Sequence, residues 1–537
     1  MKVRMPLRAT AVAAALVLGL AACGGGDEPD PDPDPGAEPT GEAGGEYIAD
    51  LTEPSYLAPT SRCYESECSA VLDMINDPLV TTDFESGELV FDGLAESIEP
   101  NEDNTVWTVT LKEGRTFHNG EAVTAQTFYD AWAYSANPKN ATDTAGFMAK
   151  IDGAGEGKEL EGFEVVDERT FEVTLTAPFS QFGQQMSYAP AFSPIAKECL
   201  DDIKACNEQP IGTGPYMMDG PWQHDEAITV TKWADYAGEQ TGSADTVTFQ
   251  MFTTPTAAFR DFQNGGVDVL TLAPEVYLEA KGQFADSIIE EPSASLTYLG
   301  FNVKVAPFDN VQVRQAMSMS IDRQLIVDQV LNGLAFPSTD IVTPPIPGSR
   351  DDACEYCVYD PEQAKQLMEE SGVDAEGTKV TYYFNADAGH DLWVEAAARQ
   401  IQENLGIDYE LQSTEWAQYL ELAGAKNFQG PFRLGWSLDY PSPENYVRPL
   451  VGTNGDSNYG NYSNPEVDDL LTQGDAAATL DEAIGFYQQA GDAALAEMPL
   501  MPMWSGKTSI AYSDAVGDVR YDVGQGEVAF KEITVTQ

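Results

Sequence analysis

The chain has 537 residues, 42% hydrophobic and 10% aromatic, enough to build two or three packed domains. Its 88 acidic residues outnumber 28 basic ones, for a net charge of −60. That balance excludes nucleic-acid binding through phosphates, which needs Lys and Arg, and opposes adhesion to anionic lipid. So acidic a surface reads first as solubility in a habitat salty enough to screen self-repulsion. The sharper alternative is attraction of cationic ligands.

In chain order, Lys2, Arg4 and Arg8 precede an apolar run from Ala9 to Leu20 that is too short for a permanent membrane span. Leu20-Ala21-Ala22-Cys23 and three glycines follow, a pattern that resembles a bacterial lipobox. Residues 1–22 are therefore predicted to be a lipoprotein signal peptide, and Cys23 the lipidated N-terminus, with two acyl chains for stable anchoring. The alternative is an ordinary cleaved signal with an incidental cysteine. Residues 23–45 are predicted to be the lipidated Cys and a disordered acidic Pro/Gly spacer. Its Asp-Pro alternation is self-repelling and reaches at most roughly 70 Å; it lacks the turn glycine and closing Glu of a calcium-binding loop.

From Glu46 the chain reads as globular. Segments 105–111 and 170–176 alternate and are rich in β-branched residues, so they predict strands. Residues 124–136 predict a helix capped by Thr124. Residues 310–333 predict a helix with Val313, Ala316, Met317 and Ile321 at helical spacing. Residues 379–412 read strand, helix (391–405), strand: a βαβ unit that implies a parallel component. Further helical patterns fall at 360–371, 466–474 and 479–497. The mixture predicts an α/β or α+β protein. No internal repeat and no second apolar run of membrane-spanning length is visible.

Six cysteines besides Cys23 lie as near neighbours: Cys63 with Cys68, Cys199 with Cys206, Cys354 with Cys357. Six allow about 15 pairings, but clustering in an oxidising compartment favours three small-loop disulfides, which pin loop shape more than they raise stability. A zinc site and a redox-active pair are the weaker alternatives. Cys354-Glu-Tyr-Cys357 is the one C-x-x-C, it has no nearby His, and Glu355 would raise its thiol pKa.

Catalytic signatures are missing. His118, His224 and His390 are the only histidines, and there is no G-x-S-x-G, G-x-x-x-x-G-K-[ST] or H-E-x-x-H. Acid pairs abound, but none stands out as a glycosidase pair. An exported chain of this kind reads as a receptor rather than an enzyme, with no cofactor or metal expected.

Six stretches then fall in order: 77–125, 211–218 (IGTGPYMM), 301–327, 359–372 (YDPEQAKQLMEESG), 435–446 (GWSLDYPSPENY) and 498–507 (MPLMPMWSGK). Together they resemble the extracytoplasmic solute-binding proteins of ABC importers, in the peptide- and nickel-binding family (solute-binding protein family 5), most of all its oligopeptide- and dipeptide-binding branch. The resemblance implies an α/β, two-lobed periplasmic-binding-protein-like fold (type II, cluster C) with an extra inserted domain. Lobe I would comprise 46–69, 207–292 and 506–537, the inserted domain 70–206, and lobe III 293–505, with hinge strands crossing near 292 and 505. The partners implied are an oligopeptide, an ABC permease with cytoplasmic ATPase subunits, and the membrane through the lipid anchor only. The chain would act as a monomer and hydrolyse nothing. Within the same fold the ligand could instead be a nickel chelate, an oligosaccharide or an opine-like compound. A cell-envelope sensor or a carboxylate-pair glycan hydrolase is the alternative of a different class.

By the same resemblance, Asp439 would meet a peptide ammonium, though beside Tyr440-Pro441 it also reads as a turn residue. Arg433, six residues earlier, would meet the carboxylate of a short peptide, or else counter the acidic field as a surface Arg. Trp416 and Trp436 would wall side-chain pockets, or pack the core. Gly435 to Ser437 would bond the peptide main chain by strand addition. Glu53 resembles an acid near the ammonium site, but Pro54 after it removes a backbone donor and weakens the strand-like contact on lobe I. Tyr298 matches a tyrosine at the hinge, structural or functional. His118 and the Gly212–Tyr216 loop read as scaffold.

Overall fold

Two 13-residue strands, Ile288–Gly300 and Leu500–Tyr512, run antiparallel through the middle of the largest sheet in this computed structural model. The structure describes residues 44–536 apart from 64, 85, 240, 387, 388 and 525. The predicted signal peptide, Cys23 and the spacer up to residue 43 lie outside the described residues. The two long strands cross between two bodies. Ile288–Ser293 pairs with Ala511–Gly506, the ladder slips between Ser293 and Leu296, and Leu296–Gly300 then pairs with Ser505–Leu500. A Cβ on Gly506 would lie 2.2 Å from the Ser293 hydroxyl and 2.3 Å from that of Ser295, so any other residue beside that slip would have to turn both serines away.

To one side of the crossing pair lie strands Phe432–Ser437, Lys379–Asn385 and Asp408–Thr414. To the other lie Val269–Thr271, Glu46–Leu51, Thr246–Met251, Ala227–Lys232 and Tyr216–Met218. Lys379–Asn385 and Asp408–Thr414 are parallel and joined by helix Asp391–Leu405, the expected βαβ unit. That helix buries Trp393, Val394, Ala397, Ala398 and Ile401 on one face and stops at Gly406, whose φ of +82° only glycine adopts without strain. A separate antiparallel sheet, Ala95–Pro100, Val106–Leu111, Thr170–Thr174 and Phe163–Val165, belongs to a third body. There Trp107, Val109 and Leu111 alternate inward, and Trp132 meets Phe163, Phe171 and Phe192 edge-on.

The buried apolar residues follow the same division. One cluster draws on residues 294–504, a second on 58–206, a third on 47–75, 216–269 and 510–533, and a fourth, smaller one on 258–280 with Ala511. The fold is thus α/β, two lobes joined by a crossing strand pair, with an inserted domain.

Local signals act where expected. Thr124 closes a capping box with Thr127 on helix Ala125–Ala136, and Asp360 and Thr479 cap Pro361–Ser371 and Leu480–Glu497. The single helix expected within 310–333 is instead two, Val311–Met319 and Arg323–Gln329. Asp322 accepts from the Leu325 N–H at 3.0 Å and starts the second helix; this side-chain competition outweighs the apolar periodicity. Disulfides join Cys63 to Cys68, Cys199 to Cys206 and Cys354 to Cys357, with Cα separations of 5.7, 4.8 and 5.4 Å.

Candidate ligand-binding site

Strand Phe432–Ser437 alternates as its sequence dictates. Phe432 and Leu434 are buried, while Arg433, Gly435 and Ser437 face the other way and Gly435 and Ser437 are exposed. One edge pairs with Ser295–Gly300 of the crossing strand. On the other edge, Phe432 meets Tyr383, and among the described residues no strand pairs with Leu434–Ser437. Leu438 N–H donates to Ala294 C=O at 3.1 Å, whereas Arg433 C=O accepts from Tyr419 Oη at 2.7 Å on the open side. By that parity, the amides and carbonyls of Gly435 and Ser437 point to the open side, ready for an added strand. A Cβ on Gly435 would lie 3.1 Å from Leu296 C=O and 3.6 Å from Arg433 Nη2. Glycine thus avoids a tight contact with the paired strand.

Just past the strand, Asp439 is clasped by one side chain. Its N–H donates to Asn445 Oδ1 at 3.0 Å, and Asn445 Nδ2 donates to its Oδ2 at 2.9 Å. Among the described residues no donor reaches Oδ1. Burial pushes the Asp439 carboxyl up to about 6; the Asn445 bond opposes this and the Glu444 charge adds to it. The turn role and an available carboxylate oxygen therefore coexist in Asp439.

Arg433 Nη1 donates to Asn385 Oδ1 at 3.2 Å. Tyr419, which also reaches Tyr383 C=O at 3.1 Å, stacks on Trp416 with ring centres 6.1 Å apart. Trp416 is 40% exposed. Trp436 sits on the inward side, opposite Leu296 and packed on the lobe core, with its Nε1 buried and unpartnered. Tyr298, opposite Leu434 and 2% exposed, is inside that core. Its register puts it on the face away from Gly435 and Ser437, and burial raises its phenol pKa. Tyr298 thus takes the structural of its two readings.

Glu53 is held elsewhere. Strand Glu46–Leu51 ends before it; Glu53 Oε1 lies 3.0 Å from His224 Nδ1, its Oε2 accepts from Asp225 N–H at 3.2 Å, and His224 Nε2 lies 2.9 Å from Glu208 Oε2. Burial raises Glu53 slightly, but the His224 and Asp225 donors outweigh it and hold the carboxyl below its ordinary range. The Glu53 and Glu208 bonds raise His224. Among the described residues no hydrogen bond or ion pair joins Glu53 to Asp439.

Two neighbouring cavities carry residues that sequence reasoning missed. One, about 300 Å³, is lined by Asp73, Asp92, Asp522 and Glu527, by Lys531, and by Pro441, two residues from Asp439. The other, about 230 Å³, has Asp50, Glu67, Thr271, Thr508 and Tyr521 in its wall and shares Glu527 with the first. Asp50 and Thr271 stand at the carboxyl ends of parallel strands, where open α/β sheets hold ligands. Burial lifts Asp50 to about 7 and raises Asp73 and Glu527. At this composition no local pattern could separate these acids from the rest. Among the described residues no group of three His, Cys, Asp or Glu could hold a metal ion.

A strand edge left open beside acidic cavities, on two lobes joined by crossing strands, marks a ligand-binding protein of the hinged two-lobe class. Sequence comparison narrows the class. The profile of the bacterial extracellular solute-binding proteins, family 5 (middle region), matches residues 90–458, well over half of the chain, and the protein belongs to that family. It is similar to the oligopeptide-binding protein OppA of Bacillus subtilis (strain 168), 27% identical over 461 residues covering 82% of this chain and 84% of the relative. It is also similar to the periplasmic murein peptide-binding protein MppA of Escherichia coli (strain K12), 26% identical over 469 residues covering 84% and 86%. Among solved structures, the unliganded open form of the murein tripeptide-binding protein MppA superposes with a TM-score of 0.78 at 24% identity, covering 93% of this chain and 99% of that one. Haemophilus influenzae OppA in complex with RPPGFSPFR gives 0.74 at 23% identity, covering 93% and 100%. These two likenesses speak to the fold. Among the described residues no helix is long and apolar enough to cross a membrane.

Proposed function

We propose that this protein is an extracytoplasmic receptor that captures oligopeptides between its lobes and delivers them to an ABC permease driven by cytoplasmic ATPase subunits. The observation that carries the reading is the open edge Leu434–Ser437 running into Asp439. A peptide backbone adds as a strand to Gly435 and Ser437, and its ammonium takes the free oxygen of Asp439. Arg433 and Trp416 meet the rest of the peptide. The peptide-binding relatives support the same ligand class. In this reading 46–69, 207–292 and 506–537 form lobe I, 70–206 the inserted domain and 293–505 lobe III; the apolar clusters support the division except near its first boundary, where Ala70–Ile75 pack with lobe I and Ala58 with the inserted domain. Lobe closure turns on the slipped ladder near Ser293 and Gly506. Cys23 carries the lipid that tethers a monomer to the outer face of the membrane, and the bound peptide is released uncut.

Calorimetry with tri- to pentapeptides tests this, together with native mass spectrometry of freshly purified protein. The expected result is binding to the panel and a ladder of co-purified peptide masses. A folded protein that stays silent across the panel, or carries one discrete non-peptide mass, overturns it.

A further inference from the structure

The turn that presents Asp439 is held from a different body of the molecule. Glu444, five residues on and 2% exposed, accepts from Tyr440 Oη and Arg448 Nε of its own segment. It also pairs at 3.4 Å with Lys150 Nζ, which comes from the inserted domain and sits 3.2 Å from the Phe179 ring centre. The same seam is closed by Ser442 Oγ donating to Gln181 Oε1 at 2.8 Å, Ser180 N–H donating to Asp475 C=O at 2.8 Å and Asn104 Nδ2 donating to Ala477 C=O at 2.9 Å. Arg448 Nη2 reaches Asp475 Oδ1 at 2.5 Å. Lys150 and Arg448 thus stand against Glu444 and Asp475, two cations for two acids, with Glu444 next in the chain to Asn445, which clasps Asp439. We propose that Lys150 is a positioning residue for the ligand site: by pairing with Glu444 across the seam it fixes the 439–445 turn and cancels the charge next to Asp439, so that the inserted domain governs ammonium capture without touching the ligand. The inference rests on the reading of Asp439 given above.

The electrostatics agree in sign. Burial works to raise Glu444, but Lys150 first and then Arg448 hold it at about 2, so it is ionised at neutral pH. That charge, after burial, also raises the Asp439 carboxyl. Glu444 is the ionisable group that shifts Asp439, and Lys150, Arg448 and Tyr440 are those that lower Glu444; Asp439 in turn raises Tyr440 and Tyr446, and Glu444 raises Asp475 and Tyr487. Removing Lys150 leaves one uncancelled negative charge behind Asp439 and pushes its proton affinity up. Neutralising Glu444 does the reverse.

The test is the Asp439 carboxyl titration, followed by the ¹³C shift of aspartate-labelled protein, with the signal assigned by its loss in Asp439→Asn. Relative to the parent protein, Lys150→Met is expected to move the midpoint up by about one pH unit and Glu444→Gln to move it down by a similar amount, while Lys150→Arg leaves it in place. Trialanine affinity at pH 6.5 should fall about threefold in Lys150→Met and recover at higher pH, with N-acetyl-trialanine unaffected. Structural damage would not shift two variants in opposite directions. Midpoints that stay put, or move the same way in both, overturn the inference. Should Lys150→Met not fold, the downward shift in Glu444→Gln and the unmoved midpoint in Lys150→Arg decide it. If the midpoints move as stated while trialanine binding ignores them, the coupling of Lys150 to Asp439 holds but the ammonium role of Asp439 fails, and with it the control of ligand capture.

Discussion

Asp439 and Glu53 resemble the same kind of residue in sequence, an acid poised for a peptide ammonium, and the structure treats them oppositely. Glu53 has both oxygens engaged, by His224 and by the Asp225 N–H, in a corner where His224 is half exposed. Asp439 has one oxygen clasped by Asn445 and the other, among the described residues, without a donor, and burial rather than an ion pair sets its titration. The contrast teaches that a carboxylate binds a ligand only where the protein leaves it part of its hydrogen-bonding capacity. A fully engaged acid must first break bonds it already has.

Breaking the contrast on the Asp439 side has the largest expected effect. Asp439→Ala should weaken free trialanine by roughly 1.5–3 kcal/mol, about ten- to a hundredfold, and N-acetyl-trialanine hardly at all, in calorimetry at pH 7.5. Equal losses for the two ligands would remove the ammonium role. The parent protein should also lose free-peptide affinity below about pH 6, where the Asp439 carboxyl protonates. The sign for stability is opposite to that of a salt-bridged acid. The folded pKa lies above the ordinary 3.8, so the native state binds more protons and stability falls as pH rises from 3.8 to about 6.

A middle effect sharpens the comparison along the strand rather than at its end. Gly435→Val puts a Cβ 3.1 Å from Leu296 C=O, a tight contact that should shift the strand and with it the main-chain groups on the open edge. Losing one main-chain hydrogen bond should cost about 1 kcal/mol for free and acetylated peptides alike. Unequal effects would argue that the backbone lies elsewhere.

The smallest effect is expected on the Glu53 side. Glu53→Gln should leave peptide affinity within about twofold, since so exposed an ion pair contributes little. It should lower the His224 midpoint toward the ordinary imidazole value, read from its NMR titration. His224 is raised in the folded state, so its contribution to stability is full below pH 6.5 and is lost as pH rises through the folded midpoint. A large affinity loss in Glu53→Gln would place Glu53 back at the ligand.

Much of the scaffold was legible because its causes are local. Thr124, Asp360 and Thr479 cap helices within three residues of themselves, Val106–Leu111 alternates with the pleat, and the bonded cysteines stand three to seven apart. The break at Asp322 is local too, but it needed a cap to be weighed against periodicity. Of the site, the stretch 433–439 was legible as a motif, while its orientation was not. Trp436 and Tyr298 turn inward because strand register with Leu296 and Leu434 assigns them the buried face.

The amino-acid sequence alone determined most helices and strands and, through motifs in order, the resemblance to a two-lobed class and the stretch 433–439, because these depend on spacing along the chain. Only the tertiary structure decided which acids are spoken for. Glu53 meets His224 across 171 positions and Lys150 meets Glu444 across 294, and at a net charge of −60 every acid looks alike until the fold chooses its neighbours.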